Sequence, residues 1–130
     1  MGYHLVDPED IEQLDDRPAD VRSLTGAVGF TPRESPLGIR LYEAAPGEQL
    51  PLSYHYHDEQ LEAFYVLEGT LHVETPDGDV QVGADRAFVV EPGNPHRAYN
   101  PADSAESVRV LAVGAPSVDD AHTYEAGSER

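Results

Sequence analysis

The sequence predicts an all-β domain, a sandwich or closed barrel, preceded by a short irregular or helical N-terminal arm. Three observations carry this. From Leu37 onward, runs of four to eight residues rich in branched and aromatic side chains recur at short, regular spacing. Gly and Pro clusters separate them, as at Pro46-Gly47 and Pro92-Gly93. Pro76-Asp77-Gly78 stands between two such runs, where it reads as a hairpin turn.

The elements follow in order. Residues 1–36 form an arm packed on the barrel. Asp7 and Pro8 suit the N-cap and first position of a short helical turn, and residues 16–24 read as a second turn. Gly26, Gly29, Pro32 and Pro36 then interrupt any regular pattern. Ile11, Leu14, Val21, Leu24, Val28 and Phe30 call for burial, which favours a packed arm over a disordered tail. Residues 37–114 carry the strands, expected at 38–44, 53–57, 62–67, 70–75, 79–82, 86–90, 96–99 and 107–114. The tail, 115–130, is polar and is expected to lie over the outside.

Composition narrows the function. A chain of 130 residues is one domain, long enough to bury a core. Without cysteine there is no disulfide, thiolate ligand or Cys nucleophile. No apolar run approaches the length that spans a bilayer, and no signal-peptide core opens the chain, so the cytoplasm is the expected compartment. Twenty-five acids face eight bases, all arginine, for a net charge of −17. Nucleic acid and anionic membrane need a basic face and are poor partners for such a surface. Acidity with complete loss of lysine points to molar salt as the working solvent, where self-repulsion is screened.

The chemistry gathers around His55-Tyr56-His57. Two histidines two apart share one face of a strand, so both imidazoles can reach one ion. A surface His-x-His is the bland alternative. Glu62 opens the next run, where Glu62, Phe64 and Val66 alternate with Ala63, Tyr65 and Leu67. A carboxylate on the barrel side of that run needs a cation to offset its burial. Glu59, in the loop, reads as solvated. His96 follows a Gly/Pro turn. Three imidazoles and a carboxylate make a mixed N/O set for a divalent transition metal. His72 falls on the outer parity of its strand, and His4 and His122 lie outside the barrel and are not expected to be ligands.

This pattern resembles the cupins. His55-x-His57, four residues, Glu62, six residues and Gly69 follow the family's first motif; Gly93, two residues, His96, three residues and Asn100 follow its second. Two departures lie in turns: seven residues separate Gly47 from His55, and Glu91 stands where the family usually has proline. The resemblance covers roughly residues 37–114 and implies a jelly-roll, or double-stranded β-helix, barrel. It implies His55, His57, Glu62 and His96 as ligands of one Fe, Mn, Ni or Zn ion, with Asn100 structural.

Within such a barrel, Phe64, Val66, Phe88 and Val90 are expected to form an apolar pocket wall, with Tyr42 and Arg40 at the mouth. Arg40 would suit a substrate carboxylate, although the pattern on that strand favours Ile39 and Leu41 as the core-facing pair. The expected function is a metal-dependent enzyme on a small oxygenated molecule, of the dioxygenase, isomerase or decarboxylase class. The alternative is a non-catalytic module that binds a small ligand or metal. A homodimer is expected, with Tyr54, Tyr56 and Tyr65 on outer parities.

Overall fold

The computed structural model describes residues 2–30 and 35–125; Met1, 31–34 (with Pro32) and 126–130 lie outside the described residues. A five-stranded antiparallel sheet has the order β1-β2-β9-β4-β7, formed by β1 (Asp20–Ser23), β2 (Gly38–Ala44), β9 (Val108–Ala115), β4 (Leu61–Glu68) and β7 (Ala87–Val90). Facing it are a three-stranded sheet of β6 (Gly78–Val82), β5 (Leu71–Thr75) and β8 (Arg97–Tyr99), and a pair formed by β10 (Ala121–Thr123) and β3 (His55–His57). The fold is an all-β jelly roll.

Period-two alternation builds the core. Along the large sheet, Tyr42, Val110 and Val66 share one interior row, and Arg40, Ala112, Phe64 and Phe88 share the next. Leu71, Val73, Val82 and Ala98 meet them from the other side, all buried. The turn at Gly69 lets β4 pass into β5. Its φ is 80°, and an added Cβ would stand 2.6 Å from the Ser107 carbonyl oxygen, so only glycine fits there. Asn100 is fully buried and donates to the carbonyls of Ala44 and Glu106 at 3.0 and 2.9 Å, tying two strand ends together.

Three expectations change. The first arm segment is as expected, a short helical turn of 3-10 type, Pro8–Asp10, capped by Asp7. The second, residues 16–24, is no helical turn: it contains β1, which pairs with β2 and buries Val21 beside Tyr42. The open edge of β2 offers unpaired backbone groups that a neighbouring strand satisfies. Phe30 is 48% exposed rather than packed. On β2 it is Tyr42 and Ala44, with Arg40, that face inward, and Ile39 and Leu41 face outward. The apolar pair joins cross-strand rows on the outer face instead: Ile39 with Val113, Ala63 and Val89, and Leu41 with Leu111, Tyr65 and Ala87. The guanidinium is accommodated inside because a cavity opens at that level.

The tail does not simply lie outside. β10 adds to β3 with Ala121 opposite His57 and Thr123 opposite His55. Tyr54 and Tyr56 are covered as a result, their rings 5.0 and 5.3 Å from those of Tyr124 and His122, so they form no exposed aromatic face. No helix among the described residues is long and apolar enough to cross a membrane.

Candidate metal centre

Backbone pairing brings the four predicted residues together. His55 and His57 point inward from β3, and both are buried. The segment before β8 lies directly beside them: His55 N donates to His96 O at 3.1 Å, and His96 N donates to His55 O at 2.8 Å. Gly93 N, in the preceding turn, donates to His57 O at 2.6 Å and fixes that loop. Glu62 reaches the cluster from the opposite sheet, in the row Gly38–Gly114–Glu62–Val90. One donor atom from each of His55, His57, Glu62 and His96 lies within 4.8 Å of all the others.

The outer nitrogens settle which atoms face the centre. His55 Nδ1 lies 2.8 Å from Ser53 O and His96 Nδ1 3.0 Å from Asn94 O. His57 Nδ1 lies 2.9 Å from Asp120 Oδ1. Carbonyls and carboxylates only accept, so each Nδ1 carries the proton and each Nε2 turns a lone pair inward. His96 Nε2 then stands 2.9 Å from Glu62 Oε1, two acceptors in contact unless a proton or cation lies between them. His57 Nε2 is 3.4 Å from the same oxygen and has no hydrogen-bond partner although buried. Cis donors about 2.1 Å from one first-row ion stand roughly 3 Å apart. The cluster therefore fits a divalent metal in spacing, tautomer and donor type.

Electrostatics follow from the same contacts. Without the ion, protons on the two imidazoles take its place at low pH: burial opposes ionisation of Glu62, but hydrogen bonds and charge from the protonated His57 and His96 outweigh it and hold the carboxyl at about 2. Burial lowers His55, reinforced by His96. For His57 burial also lowers the pKa, but Glu62 and Asp120 overcome it and the net shift is upward. A group depressed from 4.5 to about 2 stabilises the fold fully above its unfolded pKa and loses that contribution as pH falls through its folded pKa. The metal-free protein is thus expected to lose on the order of 3 kcal/mol between pH 4.5 and 2 through Glu62. Denaturant titrations across that range, in parent and Glu62→Gln, check the difference; equal slopes with pH in both would contradict it.

Asp120 is the functional residue that sequence reasoning missed. Besides holding His57, its Oδ2 accepts from the backbone N–H groups of Glu59 and Gln60 at 2.7 and 3.1 Å. It lies 63 residues from His57, in a tail with no motif around it, so no local signal marks it. Asp120→Ala frees the His57 ring and is expected to weaken metal affinity about 10–100-fold. Competition with a chromophoric chelator measures this, and an unchanged affinity would show that Asp120 only anchors the tail.

The donors sit in a cavity of about 870 Å³. Arg40, Tyr42 and Phe64 line it as expected, but Val66, Phe88 and Val90 do not. Val66 and Val90 are buried in the core and Phe88 packs against it. Gln60, Ser117 and Arg17 also line the cavity and were not anticipated. A Cβ on Gly114 would fall 2.7 Å from the Gln60 amide, so that glycine makes room for the side chain. His122 borders the cavity, but its ring lies over Tyr56 and its Nε2 is 2.6 Å from Asp58 Oδ2, on the face of β3 away from His55 and His57.

Residues 40–114 match the family described as Cupin domain. The chain belongs to the cupin family. Among curated proteins, this cupin is 30% identical over 103 residues to the polyketide synthase CurC of Streptomyces cyaneus. That match covers 79% of this chain and 64% of the relative, so the chain spans less than two thirds of its length. Among solved structures it resembles the polyketide cyclase RemF from Streptomyces resistomycificus, with a TM-score of 0.74, 22% identity, and 97% and 88% of the two chains covered. It also resembles a putative sugar phosphate isomerase from Acidithiobacillus ferrooxidans, with a TM-score of 0.64, 26% identity, and 75% and 58% covered.

Proposed function

We propose that this cupin is a metal-dependent enzyme that isomerises or cyclises a small carbonyl compound. The observation that carries the reading is the set of inward lone pairs on His55, His57 and His96, converging with Glu62 on one point of an 870 Å³ cavity. A divalent ion held by those four residues would supply Lewis-acid polarisation of a carbonyl oxygen. The names of two similar proteins, a polyketide cyclase and a putative sugar phosphate isomerase, support this class. In the protein, Phe64 and Leu50 present an apolar wall to the substrate, and the Gln60 amide, held by the Pro116 carbonyl at 2.9 Å, is fixed in orientation beside it.

One observation favours a second reading, a binder without turnover. The two carboxylates that touch the donor histidines, Glu62 and Asp120, are already engaged by them, and neither stands free as a general base. The deciding experiment is elemental analysis of the purified protein, followed by exchange of deuterium from solvent into the α-position of hydroxyketones and β-diketones. Metal with exchange supports the enzyme, metal without exchange supports the binder, and a protein that takes up no Fe, Mn, Ni or Zn overturns both.

The working solvent is proposed to be molar salt, on the strength of the −17 charge and the absence of lysine. A homodimer is proposed through the outer face of the large sheet, where Leu61, Tyr65, Leu67 and Val89 remain exposed beside the apolar rows already described. Light scattering in high salt is expected to give twice the 14.2 kDa chain mass. A clean monomer would end that proposal.

A further inference from the structure

We infer that the molecule bound at the four donors carries an anionic oxygen group, a carboxylate or phosphate, and that Arg40 and Arg17 receive it. The inference rests on the metal-cavity reading above and adds the class of its ligand.

Arg40 projects into the cavity from β2, two strands from Glu62 and one row deeper in the barrel. Arg17, just before β1, lines the same cavity from the N-terminal segment. Tyr42 lines the same cavity. Burial raises the pKa of its hydroxyl, and the charge of Arg40 and, more weakly, of Arg17 opposes this. Two guanidinium groups and a phenol thus share one cavity.

Their lack of carboxylate partners is the unusual part. Acids outnumber bases 25 to 8 in this chain. Arg22, Arg97 and Arg109 each pair with a carboxylate, of Asp20, Glu74 and Glu68. Among the described residues no carboxylate pairs with Arg40 or with Arg17, although Arg17 also borders a hollow that holds Asp20, Glu43 and Glu48. Arg86 is likewise unpaired but lies exposed on the surface. Of the carboxylates that line the cavity, Glu62 is committed to His57 and His96, Asp120 to His57 and two backbone N–H groups, and Asp119 forms no ion pair with either arginine.

Two like charges held half-buried without a counter-charge cost free energy unless an anion joins them. Guanidinium groups match carboxylate and phosphate oxygens in bidentate geometry, and the Tyr42 hydroxyl adds a donor. A ligand chelating at the donors and ending in such a group would bridge both ends of the cavity and bind in one orientation.

The test uses three hydroxypyrones that share one chelating core. Pyromeconic acid has no substituent, comenic acid bears a carboxylate, and kojic acid phosphate bears a phosphate ester. Calorimetry on the zinc-loaded protein is expected to show at least one anionic probe binding about tenfold or more tighter than the neutral one. The tighter of the two tells whether the ligand is a carboxylic acid or a phosphate ester. Arg40→Gln and Arg17→Gln are each expected to reduce that advantage and the double variant to abolish it, with the neutral probe unchanged. Equal affinities of all three probes for the parent protein would overturn the anion subsite alone, whether or not the variants fold. An advantage undiminished in the double variant would do the same. If no probe binds the parent, the metal-cavity reading itself falls and this inference with it.

Discussion

Glu62→Ala is expected to leave purification without its metal and to melt well below the parent, while Glu59→Ala keeps both metal and stability. Glu62 is the single carboxylate among the four donors, and its oxygen is the atom closest to His96 Nε2, at 2.9 Å. Removing it leaves three neutral imidazoles, so affinity falls and with it the stability that preferential metal binding lends the fold. A hundredfold excess of metal over its Kd lends about 2.7 kcal/mol, and that is lost. The metal-free proteins separate the two contributions. Little difference is expected between them, because without the ion Glu62 Oε1 and His96 Nε2 face each other as two acceptors. Glu59 is exposed and meets Asp120 through its backbone N–H alone, so its side chain is a fair control. Metal content by mass spectrometry and paired melts with and without chelator read the outcome. Full metal in the Glu62 variant together with loss in the Glu59 variant would show that the other carboxylate is the ligand.

The melting temperature is expected to climb as potassium chloride rises from 0.1 M to 2 M, by roughly 10 °C, corresponding to a few kcal/mol for a domain of this size. The charge of −17 is spread over a small surface, and the described arginines neutralise few of the acids: Asp20, Glu74 and Glu68 have arginine partners. Remaining acids repel one another across the surface, and the Debye length falls from about 10 Å at 0.1 M to about 3 Å at 1 M. The three arginine pairs weaken as salt rises, but exposed pairs contribute at most about 1 kcal/mol each. Repulsion is therefore the larger quantity and its screening sets the sign. A melting temperature that is flat, or highest at low salt, would refute adaptation to molar salt.

Much of the site was legible because its signals are local. A histidine two residues from another shares its strand face whatever the rest of the chain does, and Glu62 shares the parity of Phe64 and Val66 in the same way. Turn chemistry is equally local: Gly69 and Pro76-Asp77-Gly78 mark reversals because few other residues adopt those backbone angles. These fixed the strand order of events along the chain and the donor set that the fold assembles.

Other features depended on neighbours far away in sequence. On β2 both alternating sets are plausible core faces, and β9 offers each an apolar partner, Val110 to Tyr42 and Leu111 to Leu41, so no pattern along the strand selects between them. Residues 20–23 have no strand signal of their own and become β1 because the edge of β2 has backbone groups to satisfy. Asp120 acquires its role solely from the pairing of β10 with β3, across 63 residues. Sequence alone thus determined the barrel strands, their turns and the four metal-type donors, since each is set by period-two geometry and turn preference within a few residues. The tertiary structure alone decided which face of β2 points inward, that the tail locks His57, and that Arg17 and Arg40 share one cavity, because those are contacts between segments whose proximity no local pattern encodes.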